Sequence, residues 1–453
     1  MGIELKTISE LLKKIRKRDF SGDAGLAIKN SMYKFGTTLI AKIGSLFFIM
    51  IMARLLMPEL FGLYSLALAT LVLFVGFTDL GIKSGLVLFL SRAFSKRNNT
   101  KAKSHLYYLF KIKISLVIIV TFILLLLSKF LSETYYQKPI FLALMIGVSY
   151  LFFRSFIGFF RSVFYALNDF KRPFYWEIFF QVCRLIIVPL AAILFLNSII
   201  NNNSNIFIII LALAFVWLLT LILILTFIPS LKFLKAKPKK IPSKEKSQIR
   251  KFLLPLSAVT LSGAFFGYLD IFVLGKFVLS EFIGYYQAAF SISGAIFSIL
   301  TFSTALFPIF SRMNKKKSEK ALSISVKIAI LIGIIGTILT FVFAPLLIKI
   351  AFGNKYLSSI IFLQVLSILV LIIPINALYA SHLLSRGKSS TIAKLLIFTT
   401  IINIILNYAV AFLLIPSGQV AIVLGICGTT IFSKMIYLGG LIFSEKKFKE
   451  KGK

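Results

Sequence analysis

Residues 53–67 read Ala-Arg-Leu-Leu-Met-Pro-Glu-Leu-Phe-Gly-Leu-Tyr-Ser-Leu-Ala, and residues 275–289 read Gly-Lys-Phe-Val-Leu-Ser-Glu-Phe-Ile-Gly-Tyr-Tyr-Gln-Ala-Ala. At an offset of 222 the pairs Glu59/Glu281, Gly62/Gly284, Tyr64/Tyr286 and Ala67/Ala289 coincide, and Arg54 answers Lys276. Further along, Ser91-Arg92 answers Ser311-Arg312 at nearly the same offset. Two matches in corresponding places argue for a duplicated chain. Each quoted stretch is a short break between apolar runs, so the repeat unit is built of apolar segments joined by brief turns.

Outward from these breaks, runs long enough to cross a bilayer as helices recur. About 20 mostly apolar residues suffice. Twelve are expected, near 34–54, 60–82, 106–128, 140–164, 173–196, 206–228, 252–274, 282–309, 322–348, 357–383, 391–414 and 420–443. Helices rather than a barrel follow from the length of the runs, because a helix satisfies its own backbone hydrogen bonds within lipid. The composition agrees: 58% of residues are hydrophobic and only 15% charged, with a mean hydropathy of +0.94. Soluble domains carry about 25% charged residues. The longest polar connection is 230–251, so a nucleotide-hydrolysing module or a soluble glycosyltransferase has no room.

Formal charge is +37, from 52 Lys+Arg against 15 Asp+Glu. In a soluble chain this would suggest nucleic acid. Here its distribution explains it. Alternate connections (1–34, 91–104, 165–173, 230–251, 311–320, 385–390 and 444–453) hold 36 Lys/Arg, and the intervening ones hold 5. Basic residues stay on the cytoplasmic side, which predicts both termini inside and no nucleic-acid partner. The chain divides into a basic amphipathic helix over 1–20, a six-helix lobe over 31–229, a basic linker over 230–251, a second six-helix lobe over 252–443 and a basic tail over 444–453. The first of these suits an anionic lipid surface at the cytoplasmic face. No cleavable leader is expected, because residues 1–30 are polar and basic. Cys183 and Cys427 both lie in apolar runs and are expected to be unpaired thiols.

Charged residues within spans mark function, since each costs roughly 2.5–3.5 kcal/mol at a helix centre. Lys42, Arg154, Arg184 and Lys434 lie in spans with few acids to cancel them. Tyr150, Arg154, Gly158, Arg161 and Tyr165 share one helix stripe, and Glu177, Gln181 and Arg184 share another, so Glu177 is within reach of Arg154 or Arg161. Asp79 and Lys83 are four apart and can pair. Ser65, Ala69, Gly76, Asp79 and Lys83 form a small and polar stripe, matched by Gln287, Ser291, Gly294, Ser298 and Thr301. The two read as facing cavity walls, with close helix packing as the competing explanation. Asp270 lies near an expected helix end, where a pair with Lys276 competes with a cavity role. His105 and His382 lack ligand spacing, and no metal or cofactor is expected. Gly387-Lys388-Ser389 lacks the first glycine of a phosphate-binding loop.

The segment Arg54-Leu55-Leu56-x-Pro58-Glu59-x-Phe61-Gly62-Leu63-Tyr64, followed by Asp79-Leu80-Gly81, resembles the first hairpin of oligosaccharide-lipid flippases. These belong to the multidrug/oligosaccharidyl-lipid/polysaccharide exporter superfamily, in its polysaccharide-transport (Wzx-type) branch. Asp270-Ile271-x-x-Leu274-Gly275-Lys276, with Gly284-Tyr285-Tyr286, resembles the matching hairpin of the second lobe. The resemblance implies an all-α, MATE-like fold of two six-helix lobes around a central cavity, working by alternating access. It implies a multi-pass protein of the cytoplasmic membrane, not an enzyme, whose cargo is a lipid-diphosphate-linked glycan. A cavity holding Lys42, Arg154 and Arg184 suits a diphosphate, because guanidinium groups bind phosphate oxygens bidentately. Asp79, Lys83, Glu177 and Asp270 are the candidates for ion coupling or gating. The chain is expected to act as a monomer. The alternatives are an exporter of another amphiphile or drug and, from another class, a membrane-integral glycan polymerase or transferase. The few acids and short connections of the charge-poor set speak against the latter.

Overall fold

The computed structural model describes residues 22–301 and 315–450. The expected interfacial helix over 1–20 and the end of the expected span 282–309 lie outside the described residues. Among the described residues the chain is helical, with no strand. The first half contains α1 (Gly22–Phe77), α2 (Ile82–Ser95), α3 (Asn99–Lys129, continued by a π-helical turn over Phe130–Tyr136), α4 (Phe141–Ala166), α5 (Lys171–Leu194), α6 (Leu196–Asn201) and α7 (Phe207–Thr226). The second contains α8 (Ser243–Phe277), α9 (Ser280–Leu300), α10 (Lys315–Val342), α11 (Ala344–Phe352), α12 (Ser359–Leu366), α13 (Ile368–Ser385), α14 (Ser389–Leu413) and α15 (Gln419–Glu450).

Ten of these helices, or eleven with the bent α8 counted as one span, are long and apolar enough to cross a membrane. The expected spans 34–54 and 60–82 are both contained in α1, whose 56 residues would stretch about 84 Å if straight. That is more than twice a hydrocarbon core of about 30 Å. The helix breaks at Met57, which has φ 60° and ψ 170°. Pro58 supplies the reason. It disfavours helical geometry in the residue before it, yet it fits the first turn of the helix that follows. The second repeat breaks at the equivalent place, where Val278 and Leu279 are extended. Taken separately, the two arms of α1 correspond to the expected spans 34–54 and 60–82.

Two boundaries differ from the sequence reading. The second span stops at Phe77 and turns through 78–81, with Gly81 left-handed at φ 77°, before α2 continues. The last helix runs through Glu450, so most of the tail expected from 444 is helical. Residues 444–450 contain neither Gly nor Pro and are rich in Lys and Glu, which prolong helices well.

In the first half, α1 packs on α5, α4 on α7, and α2 on α3 and α4. In the second, α9 packs on α12, α10 on α13, and α14 on α8 and α15. The halves meet where α1 packs on α8 and α9. Ser65 and Ala69, read as part of a cavity wall, are buried in this packing. Gly81 and Gly85 press against Leu256 and Leu253 of α8, so those glycines serve helix contact. Cys183 and Cys427 are unpaired.

Candidate functional site

The stripes on α4 and α5 meet inside the first half. Arg161 Nη1 donates to Glu177 Oε2 at 2.7 Å, and Gln181 Nε2 donates to Glu177 Oε1 at 2.6 Å. Arg184 Nη2 donates to Gln181 Oε1 at 2.6 Å and to Ser45 Oγ of α1 at 3.1 Å. Of the two partners open to Glu177, the fold selects Arg161. Among the described residues neither Arg154 nor Arg184 forms an ion pair, although Arg184 interacts electrostatically with Glu177. Arg154 Nη1 donates to Tyr150 OH. Its guanidinium lies 5.4 Å from the Tyr150 ring centroid and 5.6 Å from that of Trp217 on α7. Arg184 lies 4.5 Å from the Phe48 centroid and 5.3 Å from that of Phe180. Aromatic faces can hold a cation without neutralising it.

Three buried donors around these arginines have no acceptor: Tyr64 OH, Trp217 Nε1 and Arg184 Nε. Tyr64 on α1 is 2% exposed and interacts electrostatically with both Arg184 and Arg154. Buried polar groups without partners are few in folded proteins. A convergence of donors around these two guanidinium groups is complementary to an anion. The repeat and the hairpin motif single out Tyr64 without giving it a site role, and nothing in the sequence marks Trp217.

The other sequence candidates fall elsewhere. Lys42 has an exposed side chain on α1, three residues before the Ser45 that accepts from Arg184. Asp79 and Lys83 pair at 3.4 Å, and Asp79 Oδ1 also accepts the Lys83 backbone N–H at 3.2 Å. Sequence reasoning missed Lys113 of α3, which is 1% exposed and donates to Thr78 O at 2.7 Å and Thr78 Oγ1 at 3.0 Å. It interacts with Asp79, so one carboxylate stands between two lysines. Lys113 lies within the expected span 106–128, and α3, which begins at Asn99, carries it well inside.

In the second half, Asp270 occupies the interior of α8 rather than its end, because the helix continues to Phe277. Its carboxylate accepts from Tyr286 OH at 2.6 Å, Thr430 Oγ1 at 2.7 Å and Asn407 Nδ2 at 2.9 Å. Lys276 does not pair with it and lies over the Tyr135 and Phe277 rings instead. Lys434 interacts with Asp270 and sits 3.4 Å from the Phe266 centroid. Tyr64 and Tyr286 are repeat equivalents. One faces a basic cluster and the other an acid, so the equivalent tyrosines meet groups of opposite sign. Among the described residues no group of three or more His, Cys, Asp or Glu is placed to hold a metal.

At the end of the molecule bearing the charge-poor connections, the halves are latched by pairs of repeat-related contacts. A Cβ on Gly62 would lie 1.7 Å from Ser280 O, and one on Gly284 would lie 2.1 Å from Pro58 O. Pro58 and Ser280 are themselves equivalents at the offset of 222. Tyr356 OH donates to Ala53 O at 2.8 Å, and Lys138 Nζ donates to Gly275 O at 2.6 Å, again equivalent acceptors. Burial pushes the Lys138 ammonium down to about 8. Arg54 Nε donates to Ala351 O at 3.0 Å, capping α11, and Arg54 Nη2 donates to Ile350 O.

A family model described as polysaccharide biosynthesis protein matches residues 27–314. An uncharacterised membrane protein of Methanocaldococcus jannaschii is 24% identical over 397 residues, covering 83% of this chain and 75% of the relative. Among solved structures, an inward-facing multidrug resistance MATE family transporter of the MOP superfamily superposes with a TM-score of 0.71 at 14% identity, covering 91% of this chain and 96% of that one. The lipid II flippase MurJ in an inward closed conformation gives 0.66 at 17% identity, covering 92% of this chain and 87% of that one.

Proposed function

The chain belongs to the polysaccharide biosynthesis protein family, and from that membership we propose that it moves a polyprenyl-diphosphate-linked oligosaccharide or polysaccharide repeat unit across the cytoplasmic membrane. It is a multi-pass membrane protein with the fold of a MOP-type transporter. The observation that carries the cargo class is the donor excess in the first half. Two arginines without an ion-pair partner among the described residues, with Tyr64 OH and Trp217 Nε1 unpartnered beside them, suit the oxygens of a diphosphate. The same cluster disfavours a cationic drug.

Twelve crossings with both termini inside place the latched, charge-poor end outside. The Gly62–Gly284 seam then closes the outer face. The inner arm of α1 exposes Met32, Phe35, Ile43 and Phe47, an apolar row along which a polyprenyl tail can stay in lipid. Rocking of the halves about α1, α8 and α9 exchanges access. Asp79 with Lys83, Glu177 with Arg161, and Asp270 are the groups through which an ion could couple. Anionic lipids hold the basic face, and the protein acts as a monomer.

Arg154→Ala and Arg184→Ala test the cargo site. A hydrogen bond to a charged group contributes about 1.5–3 kcal/mol, so each change should cut glycan export roughly 10- to 100-fold at normal protein abundance. Lys at either position should rescue only in part, because it lacks the planar fork. Unimpaired export by the double alanine variant would remove the reading.

A further inference from the structure

A cavity of about 650 Å³ opens on the first half between the start of α5 and the end of α7. That volume lies within the roughly 300–1,000 Å³ of small-molecule sites. Lys171, Arg172, Tyr175, Trp176 and Phe179 of α5 line it, with Phe227 just beyond α7. It is distinct from the arginine cluster. At about 100° per residue, Tyr175 and Phe179 lie nearly opposite Glu177 and Gln181 around α5. Tyr175 and Phe179 are 52% and 36% exposed, whereas Glu177 and Gln181 are buried. Gln181 packs on Gly44 of α1, so the cavity is on the side of α5 that faces lipid.

Its mouth is cationic and its wall apolar. The Arg172 guanidinium lies 5.5 Å from the Phe164 centroid and 5.4 Å from that of Phe227. Asp169 holds one edge of it, with Oδ2 3.3 Å from Arg172 Nε and Oδ1 accepting the Arg172 backbone N–H at 3.2 Å. Lys171 Nζ lies 5.9 Å from the Tyr175 centroid. Among the described residues Lys171 forms no ion pair, so two cations face one acid at the mouth. Below them Phe179 and Leu223 supply apolar wall, and the Trp176 ring is fixed edge-on against Phe164 at 4.7 Å. Basic residues that only mark the cytoplasmic side need no cavity beneath them.

We propose that this cavity binds one anionic phospholipid of the inner leaflet, its phosphodiester on Lys171 and Arg172 and an acyl chain along Phe179 and Leu223. The inner-leaflet source rests on the topology given above. Guanidinium and ammonium groups bind phosphate oxygens, and the cytoplasmic leaflet supplies anionic headgroups. The aromatic rings hold the Arg172 cation at the mouth without neutralising it. The lipid fills the gap between α5 and α7. Those helices carry Arg184 and Trp217 on their inward sides, so the lipid braces the wall of the arginine cluster from behind.

Trp176 lines the cavity and reports on it. The full chain carrying Trp217→Phe has Trp176 as its single tryptophan. It is reconstituted in phosphatidylcholine vesicles with a minor fraction of phosphatidylglycerol, and the acyl chains of one lipid or the other carry bromine, a short-range quencher. Brominated phosphatidylglycerol should show an association with Trp176 about fivefold stronger than brominated phosphatidylcholine, the equivalent of about 1 kcal/mol for one excess cation at an anionic surface. Lys171→Gln, at an exposed side chain, should lower that preference, and Lys171→Gln with Arg172→Gln should abolish it. Both should keep the quenching by phosphatidylcholine, which shows the fold intact. Lys96→Gln, a basic-face residue outside the cavity, should leave the preference unchanged. Bromine in both leaflets makes the readout independent of orientation, so a wrong topology and a missing site are told apart. Equal quenching by the two lipids overturns the proposal. So does a preference that Lys96→Gln lowers as much as Lys171→Gln does, which is attraction to the whole basic face. Quenching by a brominated polyprenol that exceeds both phospholipids gives the cavity to the cargo's tail and also overturns it.

Discussion

Adding one methyl group at Gly62 or Gly284 should open the outer seam without weakening either half. The new Cβ at Gly62 would stand 1.7 Å from Ser280 O and 2.6 Å from its carbonyl carbon, and the one at Gly284 would stand 2.1 Å from Pro58 O. Carbon–oxygen contacts settle at about 3.3 Å, so the helices must part by roughly 1.5 Å there. The obstacle is backbone, which cannot rotate aside. The penalty on the closed seam therefore lies toward the upper end of the overpacking range, about 3 kcal/mol, or roughly a hundredfold in population. Within each helix the change has the opposite sign, because Ala is favoured over Gly by about 0.8–1 kcal/mol. Spin labels on cysteines at Asn202 and Lys355, with Cys183 and Cys427 replaced by Ala, read the separation across the seam by pulsed electron resonance. Gly62→Ala and Gly284→Ala should each lengthen the main distance and cut export. Gly428→Ala, where a Cβ meets nothing within 4 Å, should do neither. An unchanged distance distribution in the double variant, with normal export, would refute the account of the seam.

Topology is open to labelling: a cysteine at Asn202 should react with an impermeant reagent from outside and one at Lys244 only from inside, and reaction of both from one side would overturn the twelve crossings. For Asp79, Asn should destabilise the purified protein by about 3–5 kcal/mol, because Lys113 is left as an uncompensated buried charge. Adding Lys113→Met should restore most of that in thermal unfolding, and adding Lys83→Met, at a 42% exposed side chain, should restore little; the reverse order would contradict the geometry. Lys138 predicts a pH dependence. Its folded value, held at about 8 by burial, lies below the ordinary lysine value of about 10.4, so its contribution to stability is complete above the latter and is lost as pH falls through 8. The melting temperature should therefore rise between about pH 8 and 10 more steeply in the native chain than in Lys138→Met, and parallel profiles would count against the buried ammonium.

The fold was legible because its determinants are local. Apolar run length gave the helices, and Pro58 gave the break in α1. The offset between residues 53–67 and 275–289 located a contact as well as a duplication, since Gly62 and Gly284 meet backbone positions that are themselves repeat equivalents. Boundaries were less legible where nothing local ends a helix, as at Phe277 and in the tail. Which charges share a site depended on tertiary packing. Spacing put Glu177 within reach of two arginines, and only the α4–α5 contact selects Arg161. Lys42 looked equal to Arg154 and Arg184 by depth along its helix, and only the structure distinguishes its exposed side chain from their half-buried ones. Lys113 became visible beside Asp79 only through the packing of α3, and Trp217 beside Arg154 only through that of α7, because a buried lysine or tryptophan has no sequence signature beyond its type.

The central claim, that a cationic cluster in the first half carries a lipid-linked diphosphate glycan across the bilayer, is tested most directly in reconstituted vesicles. A fluorescent polyprenyl-diphosphate oligosaccharide is incorporated in both leaflets, and an impermeant quencher is added outside. The native chain should let quenching proceed well beyond the outer-leaflet half. The Arg154→Ala, Arg184→Ala double variant, inserted at equal density, should stop near that half, as protein-free vesicles do. Quenching by the double variant that matches the native chain, or a native chain no faster than empty vesicles, would contradict the account.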